Sequence, residues 1–157
     1  MSEDHTTGKV SPTENNPIGI GGDIFSHMAH IYMENLYNLP SPHITEYEMF
    51  ELKQRIMQAI DEGYEGVVVT HGTDTLEETA YYLELTLDVE IPVVITGAMR
   101  SSNEIGADGL ANLRSSLVVA VSDESSDKGV LVVMNDEAHT ATYVTKTHTT
   151  NVATFQT

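Results

Sequence analysis

Hydrophobic positions along this chain recur with two different periods, and the switches between them mark its elements. Met49, Leu52, Ile56 and Ile60 follow one another at spacings of three and four, which predicts an amphipathic helix. Thr45 and Glu48 form the capping-box pattern that opens such a helix, and Gly63 closes it. Gly66 to Thr70 is a continuous β-branched run too short for a helix, and reads as a strand covered on both faces. Asp74 to about Leu87 is helical again, with a second capping box at Thr75 and Glu78. Ile91 to Thr96 repeats the buried-strand pattern, with Pro92 near its start where no ladder bond is lost. After the loop Gly97 to Asn103, Asp108 starts a helix predicted to turn Leu110, Leu113, Leu117, Val118 and Val121 inward. Gly129 to Met134 is another buried strand, and its polar continuation reaches Lys146.

The pattern upstream is weaker. Residues 1–22 are rich in Gly, Ser, Thr, Asn and Pro and read as loop. The run Ala29 to Leu36 is β-capable and ends in Asn38-Leu39-Pro40-Ser41-Pro42, where the prolines forbid helix and put Ser41 on a strand-terminal loop. Strands alternating with helices predict an α/β domain, doubly wound, with a mainly parallel sheet and helices on both faces. In that arrangement the segments after Leu39, Thr70, Ile95 and Met134 leave along one edge, which brings Ser41, Thr73, Asp74, Ala98 and Lys146 toward one another. The domain is expected to span residues 1–144, with 145–157 as its end and the start of a linker.

Composition narrows the chemistry. The 157 residues hold 7 Lys and Arg against 24 Asp and Glu, for a formal charge of -17, which opposes nucleic acid and anionic lipid and favours a small-molecule partner. Without cysteine there is no disulfide, thiolate catalysis or Cys-ligated zinc. No apolar run approaches a membrane span, and Met1 to Pro12 is polar, so a soluble, cytoplasmic chain is expected.

A hydroxyl nucleophile needs a base, and a lysine serves when its neutral form is populated. Lys146 is the candidate, lying among Thr145, Thr147, His148, Thr149 and Thr150 beyond a buried strand. An ordinary solvated lysine is the plainer reading; Thr73 likewise fits a helix cap and Asp74 a favourable place at the helix dipole. His71 at a strand exit reads as a packing and hydrogen-bonding element more than a general base. His5, His43, His139 and His148 lack the spacing of a helical zinc site, and His27 with His30 makes a poor one. The glycines at 19–22 and 106–109 miss both the P-loop and the dinucleotide fingerprint and read as turns.

The segment from Gly66 through Val69-Thr70-His71-Gly72-Thr73-Asp74-Thr75-Leu76 to Ala80 closely resembles the signature of bacterial-type L-asparaginases. Further blocks agree in order: Pro92 to Arg100, Ala107-Asp108-Gly109 with Asn112-Leu113, Gly129 to Asp136, Val144 to Thr147, and Val152 to Phe155. The resemblance covers most of the chain from about Ile31. It implies a flavodoxin-like N-terminal domain and hydrolysis of the side-chain amide of L-asparagine, in some members L-glutamine, without metal or organic cofactor. By similarity Thr73, Asp74 and Lys146 look like the catalytic hydroxyl, carboxylate and lysine. Asp74 would also pair with the substrate ammonium, Ser41 would bind its carboxylate, and the Ala98 backbone would contact the scissile amide.

The departures are specific too. Family members carry a first strand and a Thr-Gly-Gly-Thr segment with a nucleophilic threonine, and this sequence has neither. A loop tyrosine of some members has no secure counterpart here, although His5 is nearby; Pro42 and Ser101 stand where glutamine and proline are common. Relatives add a smaller second domain and assemble as homotetramers. The chain is therefore expected to be truncated at both ends, with little or no turnover by itself. The rivals are a non-catalytic amino-acid-binding or defunct paralogue, and an amidotransferase-type relative acting on aminoacyl-tRNA.

Overall fold

The computed structural model describes residues 2–4, 9–11 and 25–157. Near the start, β1 (Ser2–Asp4) pairs antiparallel with β2 (Lys9–Ser11), Glu3 opposite Val10. This corrects the loop expected at those positions. The rest of that expected loop lies outside the described residues.

Helix α1 (Glu46–Asp61) starts as expected, with Thr45 Oγ1 accepting the Tyr47 N–H at 3.3 Å and the Glu48 carboxylate accepting the Thr45 N–H at 2.8 Å. It ends beside Gly63, whose φ of 90° few other residues tolerate. There follow β3 (Val67–Thr70), α2 (Leu76–Thr86), β4 (Val93–Thr96), α3 (Gly109–Ala120) and β5 (Val130–Met134). A further strand, β6 (Glu137–Thr140), completes a four-stranded sheet of order β3-β4-β5-β6, parallel except for β6. The polar continuation of β5 thus turns back on itself: Asn135 and Asp136, at φ 52° and 61°, make a two-residue hairpin turn that Asn and Asp tolerate.

Alternation along the strands sorts the core into two layers. Val93, Ile95, Val130, Val132 and Met134 pack with Ile56, Leu76, Ala80 and Leu83 of α1 and α2. On the opposite face Val94, Leu131 and Val133 meet Ala120, and Val68 meets Phe25, Leu113 and Leu117. Helices therefore cover both faces. β4 and β5 are buried throughout, whereas β3, an edge strand among the described residues, is half-buried; its expected full coverage does not occur.

Two further expectations need correction. Residues 30–40 form no strand. A β-capable run becomes a strand only through a neighbour's ladder, and this one is held instead by side chains reaching α1 and the turn after it: Glu34 to Arg55 at 2.8 Å, Tyr37 to Glu51, and Tyr32 against the Tyr64 ring. On α3, Leu113 and Leu117 face inward, but Leu110, Val118 and Val121 are exposed. Asn112 and Ser116 take inward positions instead, their polar atoms bonded within the structure.

Two tethers finish the body. Gly129, at φ 71°, lets the Glu84 carboxylate accept the Val130 N–H at 2.6 Å, where a Cβ would lie 2.5 Å from that oxygen. β7 (Thr145–Lys146) pairs with β8 (Phe155–Gln156), whose Phe155 enters the core on the α1 and α2 side. Among the described residues no helix is long and apolar enough to cross a membrane.

Candidate active site

The site lies where the parallel strands end. The His71 N–H extends the ladder to the Thr96 carbonyl at 2.8 Å, after which residues 72–75 leave the sheet before α2 begins. Two glycines make this exit possible. A Cβ on Gly72 would sit 2.7 Å from Ser41 Oγ, and one on Gly97 would meet the His71 carbonyl at 2.6 Å and the Thr73 methyl at 3.0 Å. Their missing side chains admit Ser41 on one side and Thr73 on the other.

Three elements then meet. Lys146 Nζ on β7 donates to Thr73 Oγ1 at 3.2 Å and lies 3.4 Å from Asp74 Oδ1. The Lys146 backbone N–H donates to the Glu77 carboxylate on the first turn of α2, which fixes β7 against that helix. The lysine side chain is 14% exposed and that of Asp74 66%, so the cluster is roofed over the ammonium and open over the carboxylate. That opening leaves the carboxylate accessible to a cation from solution, although water also screens the pairing there.

Ser41, 3% exposed, heads a 3-10 turn (Ser41–His43) after Pro40. Its hydroxyl accepts the Asp74 N–H at 3.3 Å and its carbonyl accepts the Thr75 hydroxyl at 2.8 Å. Thr75 consequently does not cap α2, which corrects the second capping box. Its side chain is turned toward the Ser41 carbonyl, and its backbone (φ -131°, ψ 24°) is not the extended form that aims the hydroxyl oxygen at the first N–H groups of the helix.

Ala98 is exposed at the same edge, one residue beyond the glycine that packs on Thr73. The structure thus brings Ser41, Thr73, Asp74 and Lys146 into one hydrogen-bonded group, with the Ala98 backbone alongside. His71 is outside that group. Its Nδ1 bonds the Gly72 carbonyl at 2.7 Å, so Nδ1 carries the proton, and Nε2 accepts the Thr79 hydroxyl at 3.0 Å. Burial pushes its pKa below the usual histidine range, so the ring is a neutral strut. Among the described residues no three acidic or histidine side chains gather where a metal ion could be held.

Three residues outside the expected set support this group. Glu77 acts on a backbone 69 positions away. Asp108 accepts the Met99 and Arg100 N–H groups at 3.0 and 2.9 Å, and Asn112 donates to the Gly97 carbonyl at 3.0 Å. A polar residue on the inward stripe of an apolar helix was the available signal for Asn112.

Comparison with known proteins identifies the family. The family model for the asparaginase N-terminal domain matches residues 1–157. An L-asparaginase of Bacillus licheniformis is 47% identical over 120 residues, 76% of this chain and 37% of that protein. A glutaminase-asparaginase of Pseudomonas fluorescens biotype A is 38% identical over 122 residues, 77% of this chain and 34% of its own. A crystal structure of a probable cytoplasmic L-asparaginase from Campylobacter jejuni superimposes with a TM-score of 0.85 at 40% identity, covering 88% of this chain and 45% of that one. The chain spans about a third of the length of the curated relatives it matches. On these grounds, together with its mostly parallel sheet, the chain belongs to the asparaginase family and corresponds to its N-terminal domain.

Proposed function

We propose that the cluster at the sheet edge hydrolyses the side-chain amide of L-asparagine to L-aspartate and ammonia, with Thr73, Lys146 and Asp74 as its working groups. The observation that carries this reading is the 3.2 Å contact between Lys146 Nζ and Thr73 Oγ1, made between segments far apart in sequence. An ammonium has no lone pair, so Lys146 takes the hydroxyl proton only in its neutral form; charged, it polarises the hydroxyl by donating to it. Asp74 holds Lys146 through Oδ1 and, being open to solvent, offers its carboxylate to the α-ammonium of the substrate, and Ser41 stands beside it for the substrate carboxylate. A zwitterion matches that pairing of groups better than a neutral amide does. The relative named for both glutaminase and asparaginase activity supports admitting the longer amide as well.

The openness of the cluster on the Asp74 side supports slow turnover by this polypeptide alone, because an amide is activated best where water is excluded. The test combines calorimetry with asparagine, aspartate and glutamine and an ammonia-release assay. Binding of asparagine with slow release is expected, and Lys146→Met should lower the residual release by about a thousandfold or more. No asparagine binding would refute the site; ordinary enzymatic rates would refute the slow-turnover reading; an active Lys146→Met would remove the lysine from the mechanism.

A further inference from the structure

Around Ala98, the backbone groups of neighbouring residues are tied down while its own are not. The Gly97 carbonyl accepts the Asn112 side chain, the Gly97 N–H faces Met134 Sδ at 3.2 Å, and the N–H groups of Met99 and Arg100 both go to the Asp108 carboxylate. Ala98 itself forms no hydrogen bond to any described residue and is exposed. A free N–H and carbonyl between restrained neighbours present a fixed donor and acceptor to a ligand.

The restraint is a closed network. Asn112 is 2% exposed; its Nδ2 donates to the Gly97 carbonyl and to Asp108 Oδ2, each at 3.0 Å, and its Oδ1 accepts the Asn135 N–H at 3.0 Å. One side chain therefore joins the loop after β4, the start of α3 and the hairpin turn after β5. Fully satisfied buried amides specify a single geometry because any displacement leaves a polar atom unpaired.

We infer that Asp108 and Asn112 are positioning residues that hold the Ala98 backbone for recognition of the substrate's amide, as opposed to a carboxylate at the same place. The inference rests on the proposed amidase reading and deepens it. The Ala98 carbonyl accepts from an amide N–H and repels a carboxylate oxygen, so the pair acts on the choice between asparagine and aspartate rather than on capture of the amino-acid end.

The test measures Asp108→Asn, with Asn112→Asp as a second variant that keeps the acceptor for Asn135 but loses both donors. Amide exchange at residues 97–100 and calorimetric affinities for asparagine and aspartate are compared with the parent, after circular dichroism has checked the fold. Exchange at Met99 and Arg100 should quicken by about tenfold, and the preference for asparagine over aspartate should shrink by up to about tenfold, the scale of one neutral hydrogen bond, with aspartate affinity held. Unchanged exchange would overturn the clamp and leave the amidase reading standing. Faster exchange with an unchanged preference would overturn the recognition role. Collapse of both variants would mark the pair as framework and overturn the proposal, and a parent that binds no asparagine would sink the amidase reading and this inference with it.

Discussion

Two walls of the site are built by different means. The wall after β4 and β5 stands on strands buried throughout and is tied by the buried side chain of Asn112. The wall carrying Ser41 arrives on residues 30–40, an irregular segment with exposed Tyr32, Met33, Leu36 and Leu39, held to α1 by side-chain pairs at the surface. Exposed pairs contribute little and buried satisfied networks a good deal, so the first wall is fixed and the second is the one that yields. Both meet at Thr73 and Asp74, where only Ser41 of the second wall is fully buried.

The sharpest way to break this contrast is truncation on each side. Ile95→Ala beneath the fixed wall should cost about 3 kcal/mol, within the usual range for a buried aliphatic residue cut to alanine. Leu36→Ala on the other wall should stay within about 0.5 kcal/mol, as surface changes do. Urea denaturation measures both, and equal losses would erase the distinction. An intermediate effect is expected where the walls join. Thr75→Val removes one of the two donors of the Ser41 carbonyl, leaving the Ile44 N–H at 3.0 Å, and should cost about 1 kcal/mol, with weaker asparagine binding read by calorimetry; an unchanged midpoint would mean that Ser41 is held in place without Thr75.

The smallest expected effect concerns pH. Burial holds the folded pKa of His71 below the ordinary value of 6.5, so below about that pH the unfolded chain binds a proton that the folded chain refuses. Stability from this residue is therefore intact near neutral pH and declines as pH falls below the unfolded value. His71→Gln should flatten the change in melting temperature between about pH 7.5 and 5.5 relative to the parent. Parallel profiles would mean that the ring does not titrate with unfolding.

What sequence revealed follows from where the information resides. α1 was legible because cap, period and closing glycine are all local. β4 and β5 were legible because strands buried on both faces read as unbroken apolar runs. The exposure of β3 was not, since order in a sheet is a tertiary fact, and residues 29–36 misled because β propensity does not supply a partner strand. Counting apolar side chains on α3 placed Leu110, Val118 and Val121 inside, whereas hydrogen-bonded Asn112 and Ser116 occupy the inner stripe. Ser41, Thr73, Asp74, Ala98 and Lys146 were found together because strand exits converge and family resemblance points to the same positions. Glu77, Asp108 and Asn112 gained no place in the site at that level because they act on backbone groups distant in sequence or across a loop, and no spacing records that.

The carboxylate of Glu84 and the bare backbone of Gly129 share one small volume. Heredity should treat them as linked: a descendant that gains a side chain at 129 is strained at φ 71° and pushes the acid at 84 aside, which strands the amide of residue 130. A change at 129 is therefore expected to bring a change at 84 after it.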